Sequence, residues 1–449
     1  VKRRKELPLS MPTTDTIIAL ASGQSRAAIA VLRISGPGTR DLVTALAGAL
    51  PEPRYAALRR LTDPATGSLL DRGLVLWFPG PASFTGEDMA ELHIHGGRAV
   101  TQNVVNASLT REGVRLAEPG EFASRAFKNG KLDLSAVEGL ADLINAETAA
   151  QAKQALTQAE GSLRDRATGW REHILRAQAL AEASIDFSDE EDVADDAMAQ
   201  AKTEAAALLE ELTAELQKRS GERLREGFRI VIAGPPNAGK SSLLNAIAAR
   251  DVAIVSAEAG TTRDLVEVHL DLEGLPVILT DTAGLRDGGG EIESEGMRRA
   301  LSRASHADLV LWLIDATDPQ TEPPADLRSL DPLPVLNKID QVADGGMVDA
   351  LAISAKTGAG LGSLLDEIKR RAADDLEQGG EPPAITRARH RTEIEAAASA
   401  LRRFLDEKGE AELAAEELRV AARHIGRLTG HIDVEEILGA IFGEFCIGK

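Results

Sequence analysis

The sequence predicts a multidomain protein of α/β and all-α character: an N-terminal α+β domain, a helical bundle, and a P-loop nucleotide domain inserted into that bundle. Three observations predict it. The octapeptide Gly234-Pro235-Pro236-Asn237-Ala238-Gly239-Lys240-Ser241 fits the phosphate-loop pattern, between a β-branched apolar run at 228–233 and a helix-like run at 242–247. Stretches rich in Ala, Leu, Glu and Lys, with apolar residues at three- and four-residue spacing, flank that unit at 134–180, 198–224 and again from 387. Short strand-like runs mixed with helices occupy 16–129.

Composition sets the outer limits. A chain of 449 residues exceeds one core, and 43% hydrophobic with 27% charged residues is ordinary for a globular protein. No apolar run approaches membrane-span length and no signal-peptide pattern appears, so no membrane association is expected. Cys446 is the single cysteine, which excludes an internal disulfide framework and fits a reducing, cytoplasmic compartment. The net charge of −20, from 51 Lys+Arg against 71 Asp+Glu, opposes generic nucleic-acid binding, and 3% aromatics leave few stacking platforms. Any RNA contact must then be local or shared with a partner.

The elements follow in order. The basic leader at 1–10 reads as a solvated extension or an over-extended gene start ahead of Met11, rather than an RNA-binding arm. An α+β domain is expected over 11–129, with strands at 29–34, 73–78 and 90–95 and helices at 98–110 and 121–127. Its polar features are Arg33, Glu91, His93, His95 and, just beyond, Lys131. The two histidines share a strand face and, lacking further ligands, read as structural. Residues 130–222 form the first part of the helical domain, and the acidic run at 186–192 reads as solvated charge. The nucleotide domain spans 223–378 and the second helical part 379–449. The two helical flanks are expected to pack into one bundle, since neither obviously covers its own apolar face.

Within 223–378, four further motifs follow the phosphate loop in order, each at a loop position. They are Gly260-Thr261-Thr262-Arg263-Asp264, Asp281-Thr282-Ala283-Gly284, Asn337-Lys338-Ile339-Asp340 and Ser354-Ala355-Lys356. A strand feeding a helix through a glycine turn aims the amides around Ala238, Gly239, Ser241 and Ser242 at one spot, where Lys240 adds a full charge. The hydroxyls of Ser241 and Thr262 suit Mg²⁺, with Asp281 holding one of its waters, and the Gly284 amide can reach a γ-phosphate. The Asp340 carboxylate can accept from guanine N1–H and the 2-amino group, which adenine lacks. The set predicts a Ras-like, guanine-nucleotide-binding domain. Leu285 stands where Ras-like enzymes place a water-orienting glutamine, and no arginine finger is evident in cis, although Arg286 is nearby. The acidic segment 287–295 offers carboxylates to position water, and Asn237 can help hold a monovalent cation whose charge replaces the finger's.

Phosphate loop, Gly260-Thr261-Thr262-Arg263-Asp264, Asp281-Thr282-Ala283-Gly284-Leu285-Arg286, flanking helices and the terminal Phe445-Cys446-Ile447-Gly448-Lys449 together resemble the MnmE (TrmE) family of tRNA-modification GTPases. The resemblance runs from about Asp15 to Lys449 and takes in Leu32-Arg33-Ile34-Ser35-Gly36, Phe84-Thr85-Gly86-Glu87-Asp88, Pro119-Gly120-Glu121-Phe122, Lys131-Leu132-Asp133-Leu134 and Ile185-Asp186-Phe187. It implies a homodimer formed through N-terminal domains that bind a one-carbon tetrahydrofolate such as 5-formyltetrahydrofolate. Arg33, Glu91 and Lys131 fall at the family's folate contacts, joined by Lys449 from the terminus, and Cys446 falls at the cysteine the modification needs. It further implies K⁺-assisted GTP hydrolysis by paired G domains. There Asn237 and Thr261, with the carbonyls of Ser256 and Glu258, match the K⁺ ligands, and Glu293 matches the water-positioning acid. With the FAD-containing partner MnmG, in a heterotetramer-type complex, the family adds an aminomethyl-type (carboxymethylaminomethyl) group to C5 of wobble uridines in tRNA.

Pro235 replaces an arginine frequent in the family, Gly288-Gly289-Gly290 loosens the segment carrying Glu293, and the leader has no family counterpart. Two other readings compete. A ribosome-associated assembly GTPase, acting as a binding switch, would bring a basic RNA-binding appendage, which the sequence lacks. A cation-transport regulator would require membrane segments.

Overall fold

In a computed structural model, the described residues are 15–23, 27–186, 191–250, 252–254, 267–281, 307–319, 322–342, 350–376, 383–407, 411–430, 435–443, 445 and 448. The chain divides into two units, one of 1–141, 159–171 and 423–449, the other of 142–158 and 172–422.

The first unit is built on β1 (Thr16–Leu20), β2 (Ile29–Ser35), α1 (Thr39–Ala47), β3 (Ala57–Thr62), β4 (Leu69–Phe78), β5 (Met89–His95), α2 (Arg98–Leu109), β6 (Val114–Leu116) and α3 (Glu121–Lys128). Its sheet runs β3-β4-β5-β2-β1-β6, antiparallel except for the parallel β1–β6 pair. Strand alternation sorts the side chains. Ile18, Leu32, Ile34, Val75, Trp77, Leu92 and Ile94 share a core with Leu42 and Leu46 of α1 and Val104 of α2. Ile17 and Ala19 point the other way, to Phe84 and Phe122. The strands at 29–34, 73–78 and 90–95 are present with longer ends, whereas β3 and the three-residue β6 carry too little alternation to be read from sequence.

Helices α4 (Leu134–Asn145), α5 (Ala149–Ala159), α6 (Ser162–Asp186), α7 (Glu191–Gln217) and α8 (Ser220–Glu226) follow. The nucleotide domain then comprises β7 (Phe228–Ala233), α9 (Lys240–Ala248), β8 (Glu267–Leu272), β9 (Leu275–Asp281), β10 (Leu309–Asp315), α10 (Ala325–Arg328), β11 (Leu333–Asn337), a 3₁₀ turn at Ile339–Gln341, β12 (Leu351–Ala352) and α11 (Leu361–Leu376). The sheet order is β12-β11-β10-β7-β9-β8, parallel except for β8. Near-continuous apolar strands such as Leu309–Asp315 are what a parallel sheet covered on both faces requires. Strand order reverses between β7 and β10, and ligands of such sheets bind beyond the carboxyl ends at that point.

The chain closes with α12 (Ala388–Asp406), α13 (Ala411–Thr429) and α14 (Glu435–Gly443). In the second unit α7 packs along α12, with Ala201, Ala205, Leu208 and Leu212 buried on one helix and Ile394, Ala397, Leu401 and Phe404 on the other. Helices from before and after the nucleotide domain therefore share one seam, the geometry an insertion produces. In the first unit α14 lies against α3. Among the described residues no helix is long and apolar enough to cross a membrane.

Candidate functional site

The phosphate loop leaves the carboxyl end of β7 and turns into α9. Gly239, the residue before α9, sits at φ 96°, and a Cβ there would come within 2.4 Å of Asn337 Nδ2. Only glycine meets both the left-handed backbone and that approach. Asn237 holds φ 65°, a conformation asparagine tolerates better than most residues. Lys240 Nζ donates to the carbonyls of Gly234 and Pro235, each at 2.9 Å, so the ammonium lies folded over the loop. Burial pushes Lys240 below the ordinary lysine range, and the charge of Asp281 opposes that shift. An anion at the loop would supply the compensation that burial removes.

Ser241 Oγ donates to Asp281 Oδ2 at 2.6 Å, which brings a hydroxyl from the start of α9 and a carboxylate from the end of β9 to one place. Two hard oxygen donors side by side, one of them on a helix N-terminus beside a phosphate cradle, form a donor set that suits Mg²⁺. Ser242 lies exposed in the first turn of α9.

The base-recognition motifs meet across the sheet. Asn337 is buried at the end of β11, where its Nδ2 donates to Ala238 O at 2.9 Å and its Oδ1 accepts from Ala355 N at 3.0 Å. One amide thereby ties the phosphate loop to the Ser354-Ala355-Lys356 turn. Lys338, at φ 67°, pairs with Asp315 Oδ2 at 2.6 Å. Ser354 Oγ donates to Asp340 Oδ1 at 2.6 Å, while the Thr357 amide donates to Ser354 Oγ at 3.1 Å. The Asp340 carboxylate is thus aimed but exposed, as is Lys356. Ser256, Glu258, Thr261, Thr262, Thr282, Ala283, Gly284, Glu293, Cys446 and Lys449 lie outside the described residues.

In the first unit, Arg33 and Glu91 are direct cross-strand partners on β2 and β5. Arg33 Nε and Nη2 reach Glu91 Oε1 at 3.2 and 3.0 Å, and Glu91 Oε2 lies 3.3 Å from His93 Nε2. The guanidinium is 5.6 Å from the Phe84 ring and 5.8 Å from the Phe122 ring. Its Nη1 also lies 3.5 Å from the carbonyl of Gly448. Gly448 has φ 100°, and a Cβ there would strike Leu20 O at 2.2 Å, so Gly448 lies directly on the end of β1. Lys131 Nζ donates to Pro81 O at 3.1 Å, and its stem passes beside Gly86. Arg33 and Lys131 therefore border the same 81–86 loop. His95 binds Asp71 at 2.8 Å.

Sequence reasoning missed Arg125. Its side chain, 2% exposed, binds Asp15 at 2.9 Å, Glu87 at 3.0 Å and Glu121 at 3.0 Å, knitting the entry to β1, the 84–88 loop and α3. Ser35 Oγ extends the network to Glu87 Oε2 at 2.7 Å. Burial works to raise the carboxyls of Asp15 and Glu121, but hydrogen bonds and charge from Arg115 and Arg125 outweigh it, and both lie below their ordinary values. The one available signal was the Glu121–Arg125 spacing of four on a helix.

Known proteins match nearly the whole chain. A family model described as "GTP-binding protein TrmE N-terminus" matches residues 16–131, and one described as "MnmE helical domain" matches 134–446. A relative from Beijerinckia indica subsp. indica is 55% identical over 438 residues, covering 97% of this chain and 96% of its own. One from Rhodopseudomonas palustris is 52% identical and covers 98% and 100%, and one from Paramagnetospirillum magneticum is 53% identical and covers 97% and 100%. Each of the three is named tRNA modification GTPase MnmE.

Proposed function

This chain belongs to the MnmE family of tRNA modification GTPases, and from that premise we propose how its parts divide the work. It binds and hydrolyses GTP in the service of tRNA modification. The finer reading is that hydrolysis by paired G domains drives addition of an aminomethyl-type (carboxymethylaminomethyl) group to C5 of wobble uridines, with a tetrahydrofolate-borne carbon and the FAD-containing partner MnmG.

The observation that carries this reading is the carbonyl of Gly448, 3.5 Å from Arg33, because it brings a residue two positions from Cys446 in the sequence to the Arg33–Glu91 pair. Arg33, Glu91 and Lys131 would hold the folate, with Lys449 reaching in from the same segment. Glu91 presents a carboxylate to pterin N–H groups, and Arg33 and Lys131 offer cationic donors to its carbonyl and carboxylates. The bound folate, 5-formyltetrahydrofolate or a related one-carbon tetrahydrofolate, would supply the carbon. Cys446, two residues before Gly448 in the sequence, would be the thiol acting on the uracil ring.

At the nucleotide site Lys240 and the loop amides hold the phosphates, Ser241 and Thr262 hold Mg²⁺, and Asp340 reads guanine. Leu285 cannot orient water, so Glu293 takes that role, and K⁺ held by Asn237, Thr261 and the carbonyls of Ser256 and Glu258 supplies the positive charge an arginine finger would bring. The left-handed Asn237, exposed at the loop, supports this because its side-chain carbonyl is left to an ion beside the phosphates. A homodimer is supported by the sheet face opposite α1 and α2, where Ile29, Leu58 and Leu74 stand 62%, 69% and 39% exposed. The acidic chain then leaves much of the tRNA contact to MnmG.

The test is carbon transfer. With partner, tRNA, GTP and a donor labelled at its one-carbon unit, label should enter the wobble base, and Arg33→Ala should stop it. Equal labelling by wild type and variant would remove the donor from this site.

A further inference from the structure

Helix α8 is seven residues long, and its side chains divide between two sets of neighbours. Arg223 pairs with Asp375 near the end of α11, and Leu224 packs on the core beneath the nucleotide sheet. The remaining contacts go to the helices. Glu222 Oε2 accepts from Arg391 Nε and Nη2 at 2.8 and 2.6 Å. From α5, Gln154 donates to Gly221 O at 2.8 Å and Gln151 to Arg225 O at 3.1 Å. Arg225 Nε reaches Asp142 Oδ1 at 2.8 Å.

Asp142 does more than hold Arg225. Its Oδ1 also accepts from Arg387 Nη2 at 2.7 Å, and its Oδ2 faces Arg387 Nε at 3.3 Å. Arg225 is two residues before Gly227 closes the passage into β7, and Arg387 stands immediately before α12, where the chain has returned to the helices. One carboxylate therefore ties the chain's way into the nucleotide domain to its way out. Beyond α8, β7 runs straight to the phosphate loop, and its neighbour β9, which also touches α8, ends at Asp281. A shift at the nucleotide has a short, stiff path to Arg225.

We propose that Asp142 is a positioning residue that couples the GTP cycle to the helices, by clamping Arg225 and Arg387 so that α8 passes movement of β7 and β9 to α5 and α12. This rests on the reading that GTP hydrolysis drives the modification step. The surroundings suit a moving joint. A cavity of about 170 Å³ lies beside the clamp, lined by Asn145, Gln151, Gln154 and Gln158, whose long amides can re-form bonds after a displacement. The apolar α7–α12 seam offers no such slack, and close-packed cores move between discrete arrangements or not at all. A carboxylate between two guanidiniums keeps its partners through such a shift, because leaving any of the three buried or partly buried charges unpaired is costly.

The experiment compares GTP turnover with uridine modification in the full-length protein with its partner and tRNA. Asp142→Asn should keep turnover near wild type while modification per GTP falls about tenfold, the size of an ordinary coupling energy. Asp142→Glu should recover part of it. Gln154→Leu removes one of the two α5–α8 hydrogen bonds, the one to Gly221 O, leaves no charge unpaired, and should shift the same ratio if Asp142→Asn does not fold. Parallel loss of both activities, or no change in their ratio in either variant, would overturn the coupling role. Wild type with a non-hydrolysable GTP analogue separates the two readings. Full modification there would refute the GTP-driven step itself, whatever Asp142 does.

Discussion

Replacing Asp340 with asparagine should move the base preference from guanine to xanthine. In the structure the carboxylate is held by Ser354 Oγ at 2.6 Å, itself fixed by the Thr357 amide at 3.1 Å, so its direction survives the substitution. An ionised carboxylate only accepts, which matches the two donors guanine presents at N1 and the 2-amino group. Hydrogen bonds to a charged group contribute about 1.5–3 kcal/mol each, so losing two costs about 3–6 kcal/mol. That corresponds to a rise of about a hundredfold to ten-thousandfold in the GDP dissociation constant. Asparagine offers one acceptor and one donor, and xanthine, with oxygen at C2, takes that donor. Titration of Asp340→Asn with fluorescent GDP and XDP reads both changes. Unchanged GDP affinity, or weakened GDP binding with no gain for XDP, would refute the assignment of base recognition to this carboxylate.

Four other outcomes follow from the geometry. Arg125→Met should cost about 3–5 kcal/mol by taking a buried guanidinium from three carboxylates at once, Arg115 remaining on two of them, read as a lower denaturation midpoint of the first unit. In the wild type, Asp15 and Glu121 have lowered values in the fold, so their stabilisation is complete above the ordinary carboxylate values of 3.8 and 4.5 and is lost as pH falls through the lower folded ones; acid titration of unfolding should show that loss, and Arg125→Met should reduce it without removing it, because Arg115 stays paired with both carboxylates. Gly448→Ala should dislodge the terminal segment from Leu20, making it a faster carboxypeptidase substrate and ending label transfer to tRNA. Because phosphate favours charged Lys240 and burial disfavours it in the free protein, GDP affinity should decline as pH rises through a value below 10.5; a decline confined to pH above 10.5 would contradict this.

What could be read in the sequence depended on distance along the chain. The phosphate loop and the Asn337 and Ser354 motifs each carry their chemistry within a few residues, so their spacing predicted where they would meet. The α7–α12 seam followed from unsatisfied apolar faces on both flanks of the nucleotide domain. Arg125 was invisible because its partners Asp15 and Glu87 lie far away in sequence, and a lone arginine on a short helix reads as solvated. The Asp142 clamp joins residues 83 and 245 positions apart, and no local periodicity encodes such a meeting. Strand β6 escaped for a different reason, since three residues hold too little pattern to distinguish strand from loop.

The most direct test of the central claim is GTP turnover in K⁺ against Na⁺ at equal ionic strength, with Asn237→Ala alongside. A catalytic site with leucine in the water-orienting position and no arginine finger in cis should be strongly stimulated by K⁺, and Asn237→Ala should lose that stimulation. Equal rates in the two salts would contradict the account, because another group would then be supplying the charge that hydrolysis needs.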